Sequence, residues 1–171
     1  NETEPTLELT AYISLLKGDK TELAVQKLTE LGVHRVVPFV SEYTVRTGEK
    51  SDRLRRAAHE ASKQCGRAYI PEVRDAISFA DMVGELSEYD TAVFAYEGAY
   101  ASGKRLKDVL RGNEKTIALV VGPEGGFSEK EVAVMIAAGH GPVTLGKRIL
   151  RAETASIAGA AVIMQLSGEW E

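Results

Sequence analysis

The hydrophobic pattern of this chain switches repeatedly between the short period of strands and the 3.6-residue period of helices. Thr6–Lys17 is rich in Leu, Ile and Tyr and predicts a strand, broken at Gly18–Asp19. Asp19 and Glu22 have the spacing of a helix-capping pair, so a helix is predicted over Lys20–Leu31 with Gly32 as its stop. Val33–Val40 is β-branched and predicts a strand that Pro38 places near an edge or an end. Helices are predicted over Ser51–Gln64, Phe79–Leu86 and Lys104–Leu110, and strands around Ile70–Val73 and over Thr91–Tyr96. Thr116–Val121 is uninterrupted apolar sequence, as in a strand covered on both faces. Ser128 and Glu131 form a capping box that opens a helix running to Ala138. A short strand at Val143–Leu145 and an Ala-, Ile- and Val-rich helix over Glu153–Leu166 complete the pattern.

Strands alternating with helices predict an α/β domain, mainly a parallel sheet with helices on both faces. The 171 residues, 44% hydrophobic and 27% charged, fit one globular domain over 1–171. There is no internal repeat, and only Thr44–Ser51 reads as an exposed connecting loop. No run approaches the roughly 20 apolar residues of a membrane span. The first fifteen residues carry Glu2, Glu4 and Glu8 and no positive segment, so no secretory leader is expected. The chain opens on Asn1 and is expected to be a piece of a longer protein. Cys65 is the only cysteine, in keeping with a reducing cytoplasm. His34, His59 and His140 share no ligand spacing with it, so no metal is expected.

Net charge is −4, against a surface that binds nucleic acid everywhere. One stretch differs: Arg46, Lys50, Arg53, Arg55, Arg56, Lys63 and Arg67 face only Glu49, Asp52 and Glu60 in the same segment. Such a stretch can engage phosphates, and it reads equally as a solvated helix face.

Two loops carry the candidate chemistry. Leu119-Val120-Val121-Gly122-Pro123-Glu124-Gly125-Gly126-Phe127-Ser128 runs from an apolar strand through glycines into a capped helix. Open α/β sheets bind ligands at the carboxyl ends of their strands. Glycines there allow close backbone approach, and a helix start offers free N–H groups. Taken locally, Gly125–Gly126 reads equally as a tight turn. Neither a dinucleotide fingerprint nor a phosphate-binding Gly-Lys-Ser/Thr loop is present. The second loop, Leu145-Gly146-Lys147-Arg148-Ile149-Leu150-Arg151-Ala152-Glu153-Thr154-Ala155, brings basic residues to the start of the last helix. Arg151 could hold a phosphate or a uracil carbonyl there, or simply pair with Glu153 at the surface. Gln64-Cys65-Gly66-Arg67 offers amide and guanidinium donors, but is equally ordinary as a helix terminus.

Gly-Pro-Glu-Gly-Gly-Phe at 122–127, Leu-Gly-x-Arg-Ile-Leu-Arg-x-Glu-Thr-Ala at 145–155 and Gln-x-Gly-Arg at 64–67 are joined by a fourth segment. This is Ala24-Val25-Gln26-Lys27-Leu28-Thr29-Glu30-Leu31-Gly32, followed by a strand ending in Pro38. Together they resemble the bacterial RsmE family of ribosomal RNA uridine N3-methyltransferases, in the knotted SPOUT superfamily, over essentially the whole chain. The resemblance implies a C-terminal deep trefoil knot, otherwise very rare, and a homodimer with the knots near its interface. It also implies an N-terminal RNA-binding β-barrel, expected to be absent from this chain. S-adenosyl-L-methionine is the implied cofactor, held by Leu119, Gly122, Glu124, Gly125, Gly126, Leu145, Gly146, Ile149 and Leu150. Gln64, Arg67, Arg148 and Arg151 would contact small-subunit (16S) ribosomal RNA, with Arg151 and Arg67 orienting the uridine as catalytic residues.

The implied reaction moves a methyl group to N3 of a flipped-out uracil, chiefly by positioning and electrostatics. The general base stays open among Glu124, Glu153, a cofactor carboxylate and water. Two rivals keep the same sequence features: a sister knotted enzyme acting on a ribose 2′-hydroxyl or a transfer-RNA guanine, and a non-catalytic RNA-binding module.

Overall fold

The computed structural model describes residues 2–45, 48 and 51–171. Of the basic stretch, Arg46 and Lys50 lie outside the described residues, as do Thr47 and Glu49 of the connecting loop. The described chain forms strands β1 (Glu8–Ser14), β2 (Arg35–Val40), β3 (Glu72–Val73), β4 (Ile77–Ser78), β5 (Thr91–Ala95), β6 (Thr116–Val121) and β7 (Gly141–Val143). The helices are α1 (Lys20–Glu30), α2 (Ser51–Cys65), α3 (Phe79–Glu85), α4 (Leu106–Val109), α5 (Glu129–Ala137) and α6 (Ala152–Leu166).

All strand pairs are parallel, in the order β3-β2-β1-β6-β5-β7, with β4 also pairing with β2. Alternation along the strands builds two cores. Leu9, Ala11 and Ile13 of β1 and Ile117, Leu119 and Val121 of β6 pack under α1, α2 and α6. Tyr12, Ala118 and Val120 face the other way, onto Met82 of α3 and Val132 and Met135 of α5. The expected mainly parallel sheet with helices on both faces is therefore present, and the apolar run of β6 is explained by cover on each side.

Pro38 sits in an interior strand rather than at an edge, because the outer neighbour of β2 is broken. β3 pairs with Arg35 and Val36, and β4 with Phe39 and Val40. The carbonyls of His34 and Val36 point to that outer side, accepting from Glu72 and Arg74. The nitrogen of Pro38 faces the same way, into the break, where no ladder donor is needed.

Two capping expectations resolve differently. Ser128 Oγ accepts from Glu131 N at 3.2 Å and Glu131 Oε1 accepts from Ser128 N at 3.0 Å, the full reciprocal box. Asp19 makes no side-chain cap. Instead Thr21 Oγ1 accepts from Leu16 N at 2.9 Å, closing the β1–α1 turn from inside the helix. The strand predicted at Val143–Leu145 lies slightly earlier, and β4 and a 3-10 segment at Glu97–Ser102 were not predicted.

α6 crosses back over the sheet. Gly159 rests on Leu119, with space so tight that a Cβ there would lie 2.9 Å from Leu119 Cδ2. This close approach seats the N-terminus of α6 at the carboxyl end of β6, where the two loops meet.

Candidate active site

The loops after β5, β6 and β7 converge on one cavity of about 520 Å³, within the range of about 300–1,000 Å³ typical of small-ligand sites. Its wall includes Ala95–Glu97, Val121–Phe127, Thr144–Gly146 and Arg148–Glu153, with Lys20 from the start of α1. A larger concavity of about 900 Å³ lies between α2 and the β3–β4 segment. It is open, and two of its arginines are paired within the fold: Arg55 with Val73 O and Asp75, Arg74 with Glu85. The smaller cavity sits where an open α/β sheet binds ligands, and it unites both sequence motifs.

Each loop is held by identifiable contacts. Gly126 N donates to Pro123 O at 2.9 Å, closing a turn that leaves Gly126 at φ +74°. A Cβ on Gly122 would meet the Phe127 ring at 3.1 Å, so glycine lets that ring fold back beneath the loop. There Phe127 packs among Phe39, Phe79 and Phe94 at centroid distances of 6.1–6.3 Å. Glu124 Oε1 accepts from Lys17 N at 2.8 Å, tying the loop to the end of β1. In the second loop Thr144 Oγ1 accepts from Gly146 N at 3.1 Å, with Gly146 at φ +115°.

Of the expected cofactor residues, Gly122, Glu124, Gly125, Gly126, Leu145, Gly146, Ile149 and Leu150 line this cavity. Leu119 does not. It is fully buried mid-strand, its backbone in register with Ala11 and Val93, and its side chain supports Gly159. Val121, two residues on, takes the lining position. At the start of α5 the capping box takes the N–H groups of Ser128 and Glu131, and Glu131 Oε2 further accepts from Glu42 N. The open helix start belongs to α6, whose N-cap residue Arg151 supplies no side-chain cap.

The four expected RNA contacts divide. Arg148 and Arg151 are exposed at the cavity and have no ion-pair partner among the described residues, Glu153 included. Arg67 is spent inside the fold, its side chain only 5% exposed. It donates to Glu4 Oε2 from Nε and Nη2 at 3.2 and 2.8 Å, and to the carbonyls of Thr29 and Val33 at 3.0 and 2.9 Å. Burial works against the Glu4 charge, but Arg67 and the N–H groups of Tyr69 and Ala68 outweigh it and hold that carboxyl below its usual range. The orienting role expected of Arg67 is thus replaced by a structural one. Gln64 is exposed beside Gln26 and Glu30, away from the cavity. In the basic helix Arg53 pairs with Glu22, and Arg55 with Asp52 and Asp75.

Sequence reasoning missed Lys20, Tyr96 and Glu97 as wall residues. All three lie at or just after the ends of predicted strands, and that position was the available signal. One buried polar atom stands out in the wall: Glu153 Oε2 is shielded from solvent and has no hydrogen-bond partner. Among the described residues no group of three or more His, Cys, Asp or Glu could hold a metal ion, and no helix is long and apolar enough to cross a membrane.

A parallel α/β sheet with a glycine-walled, partly basic cavity at its strand ends defines a ligand-binding domain of the open-sheet class. Comparison with known proteins narrows it. Residues 2–164 match the RNA methyltransferase domain family. The ribosomal RNA small subunit methyltransferase E of Bacillus subtilis is 34% identical over 165 residues, 88% of this chain. This chain spans 64% of the length of that relative. A crystal structure of the ribosomal RNA small subunit methyltransferase E of Neisseria gonorrhoeae, bound to S-adenosyl methionine, is 33% identical with a TM-score of 0.88. The alignment covers 96% of this chain and 68% of that one. A Legionella pneumophila methyltransferase solved with the cofactor SAM is 30% identical, with a TM-score of 0.89 over 95% of this chain and 68% of that one. The chain belongs to the RNA methyltransferase domain family and, within it, to the ribosomal RNA small subunit methyltransferase E group.

Proposed function

We propose that this chain is the catalytic domain of an S-adenosyl-L-methionine-dependent methyltransferase acting on N3 of a uridine in small-subunit (16S) ribosomal RNA. The observation that carries the reading is the meeting of the Gly122–Phe127 and Leu145–Glu153 loops around one cavity at the strand ends. Its residues suit the cofactor. Gly122, Gly125 and Gly126 expose backbone to a ligand, and Val121, Leu145, Ile149 and Leu150 offer apolar contact to an adenine ring. Ile149, 80% exposed, has its side chain available to close over a ligand. Glu124 brings negative charge toward a sulfonium. When bound, the cofactor supplies an activated methyl group, so the protein's work is positioning. Arg151, free of internal partners, is placed to donate to a uracil carbonyl as negative charge develops on the ring. Arg148 beside it serves the phosphate backbone.

Two wider features belong to the same reading. The segment 144–150 passes among the loops after β5 and β6 before α6 returns across β1 and β6, which favours the knotted path. Val162, Leu166 and Trp170 leave α6 and its end 44%, 38% and 51% exposed, and a second copy of the chain would cover that apolar face in a homodimer. A cytoplasmic location accords with the ribosomal substrate and the exposed free Cys65.

The test is nucleoside mass spectrometry of small-subunit RNA after incubation of assembled subunits with the full-length protein and S-adenosyl-L-methionine. N3-methyluridine is the expected product. A methylribose or a methylguanine would replace this reading with a sister activity. A folded protein that binds no S-adenosyl-L-methionine by calorimetry would point to a non-catalytic RNA-binding module.

A further inference from the structure

We propose that Glu153 reads the N3–H of the target uracil and takes its proton during methyl transfer, an inference that rests on the function proposed above. Glu153 lies in the first turn of α6, two residues after Arg151. Glu153 is part of the cavity wall, its Oε2 is buried with no donor, and the only other partnerless buried side-chain atom among the described residues is Ser62 Oγ in α2. The other carboxylates of the cavity are differently placed. Glu124 is exposed and already accepts from Lys17 N, and Glu97 is exposed at the end of β5. A buried acceptor without a donor is costly to keep, so a group carrying an N–H is the natural completion of this wall.

An ionised carboxylate only accepts hydrogen bonds, whereas a guanidinium only donates them. Uracil presents a donor, N3–H, flanked by two carbonyl acceptors. Glu153 and Arg151, both in the cavity wall at the start of one helix, match the N3–H and a neighbouring carbonyl of that edge. Cytosine offers a bare lone pair at N3, which would face the carboxylate without a proton between them. Sites built on such polar pairing reject the mismatched partner strongly, because their own buried groups are left unpaired.

The step balances without a further reagent. The N3–H electron pair remains on nitrogen and becomes the bond to the methyl carbon, while the proton passes to Glu153 Oε2. The carbon–sulfur pair returns to sulfur, turning the sulfonium into a neutral thioether. A carboxylate and a sulfonium are thus consumed together, and a carboxylic acid and a thioether are formed. Glu153 then returns its proton to water. The charged and titratable groups sharing the cavity are Lys20, Tyr96, Glu97, Glu124, Arg148 and Arg151.

The test compares wild-type full-length protein with Glu153→Gln and Glu153→Asp. Three quantities are read: S-adenosyl-L-methionine affinity by calorimetry, single-turnover methyl transfer, and binding of small subunits carrying uridine or cytidine at the methylated position. Glu153→Gln should keep cofactor affinity within about threefold and slow transfer by about 10²-fold or more, the usual reach of a proton-transfer group. Its amide can donate as well as accept, so a tenfold or larger wild-type preference for uridine should shrink to about threefold or less. Glu153→Asp should recover part of the rate. Transfer within about threefold of wild type in Glu153→Gln, or an unchanged uridine preference, overturns the proposal. Equal loss of cofactor affinity and rate does so too, by making Glu153 a cofactor ligand. Failure of the underlying function would appear differently, as wild-type protein that transfers no methyl group to RNA.

Discussion

Arg67 and Arg151 look alike in the sequence, each beside a helix end in a motif with RNA-binding potential, yet the fold uses them in opposite ways. Arg67 follows α2 and meets three internal acceptors: the Glu4 carboxylate and the carbonyls of Thr29 and Val33. Arg151 begins α6 with no ion-pair partner among the described residues and stands at the cavity. An arginine already furnished with buried acceptors is a strut, and one left without them is available to a ligand. Glu124 and Glu153 repeat the contrast among carboxylates, since a backbone N–H ties the first to the fold and leaves an oxygen of the second waiting.

The largest effect should follow from removing the strut. Arg67→Ala takes the charge partner from Glu4, which keeps the Ala68 and Tyr69 N–H groups, and a donor from the Thr29 and Val33 carbonyls, and should lower stability by about 3 kcal/mol, the lower end of the cost of breaking a buried pair from one side. Urea unfolding measures it, and a loss under about 1 kcal/mol would return Arg67 to the pool of free cations. Gly159→Ala comes next. Its Cβ would press on the fully buried Leu119 beneath α6, costing about 1–3 kcal/mol by overpacking. Because that contact seats the cavity wall, S-adenosyl-L-methionine affinity should fall with the thermal midpoint. Unchanged affinity would separate the wall from the helix seat.

Acid should weaken the strut. The Glu4 carboxyl titrates below its usual range in the folded chain, so its stabilising effect is fully present above the unfolded value of about 4.3 and is lost as pH falls through the folded value. Stability measured from about pH 5 downward should therefore drop less steeply in Glu4→Gln than in wild type. Equal slopes would remove Glu4 from the account. The smallest effect is that of Arg148→Ala. As an exposed phosphate contact it should weaken binding of small-subunit RNA by a few-fold and reduce the salt slope by about one, without regard to sequence. A loss confined to one RNA sequence would make Arg148 a base reader instead.

Much of this was legible along the chain because it is local. The apolar run of β6, the glycines after it and the Ser128–Glu131 box are all written within sixteen residues, and each formed as its sequence dictates. What escaped depends on distant partners. Two-residue β4 exists only because β2 offers an edge beyond the β3 break. The acceptor that claims Arg67 lies 63 residues away, and the neighbours that bury Leu119 belong to other strands and to α6. The two loops were recognisable as a pair, but which of their carboxylates is free was decided only by where Lys17 N falls.

The central claim is that Arg151 faces the substrate while Arg67 holds the fold. Its most direct test is the single-turnover methyl-transfer rate of Arg151→Ala and Arg67→Ala, each normalised to folded protein and read beside S-adenosyl-L-methionine affinity. Arg151→Ala should lose about 10²–10³-fold in rate, as removal of one transition-state donor does, with cofactor affinity little changed, and folded Arg67→Ala should stay within about threefold of wild type. The reverse pattern, or equal losses in both variants, would contradict the account.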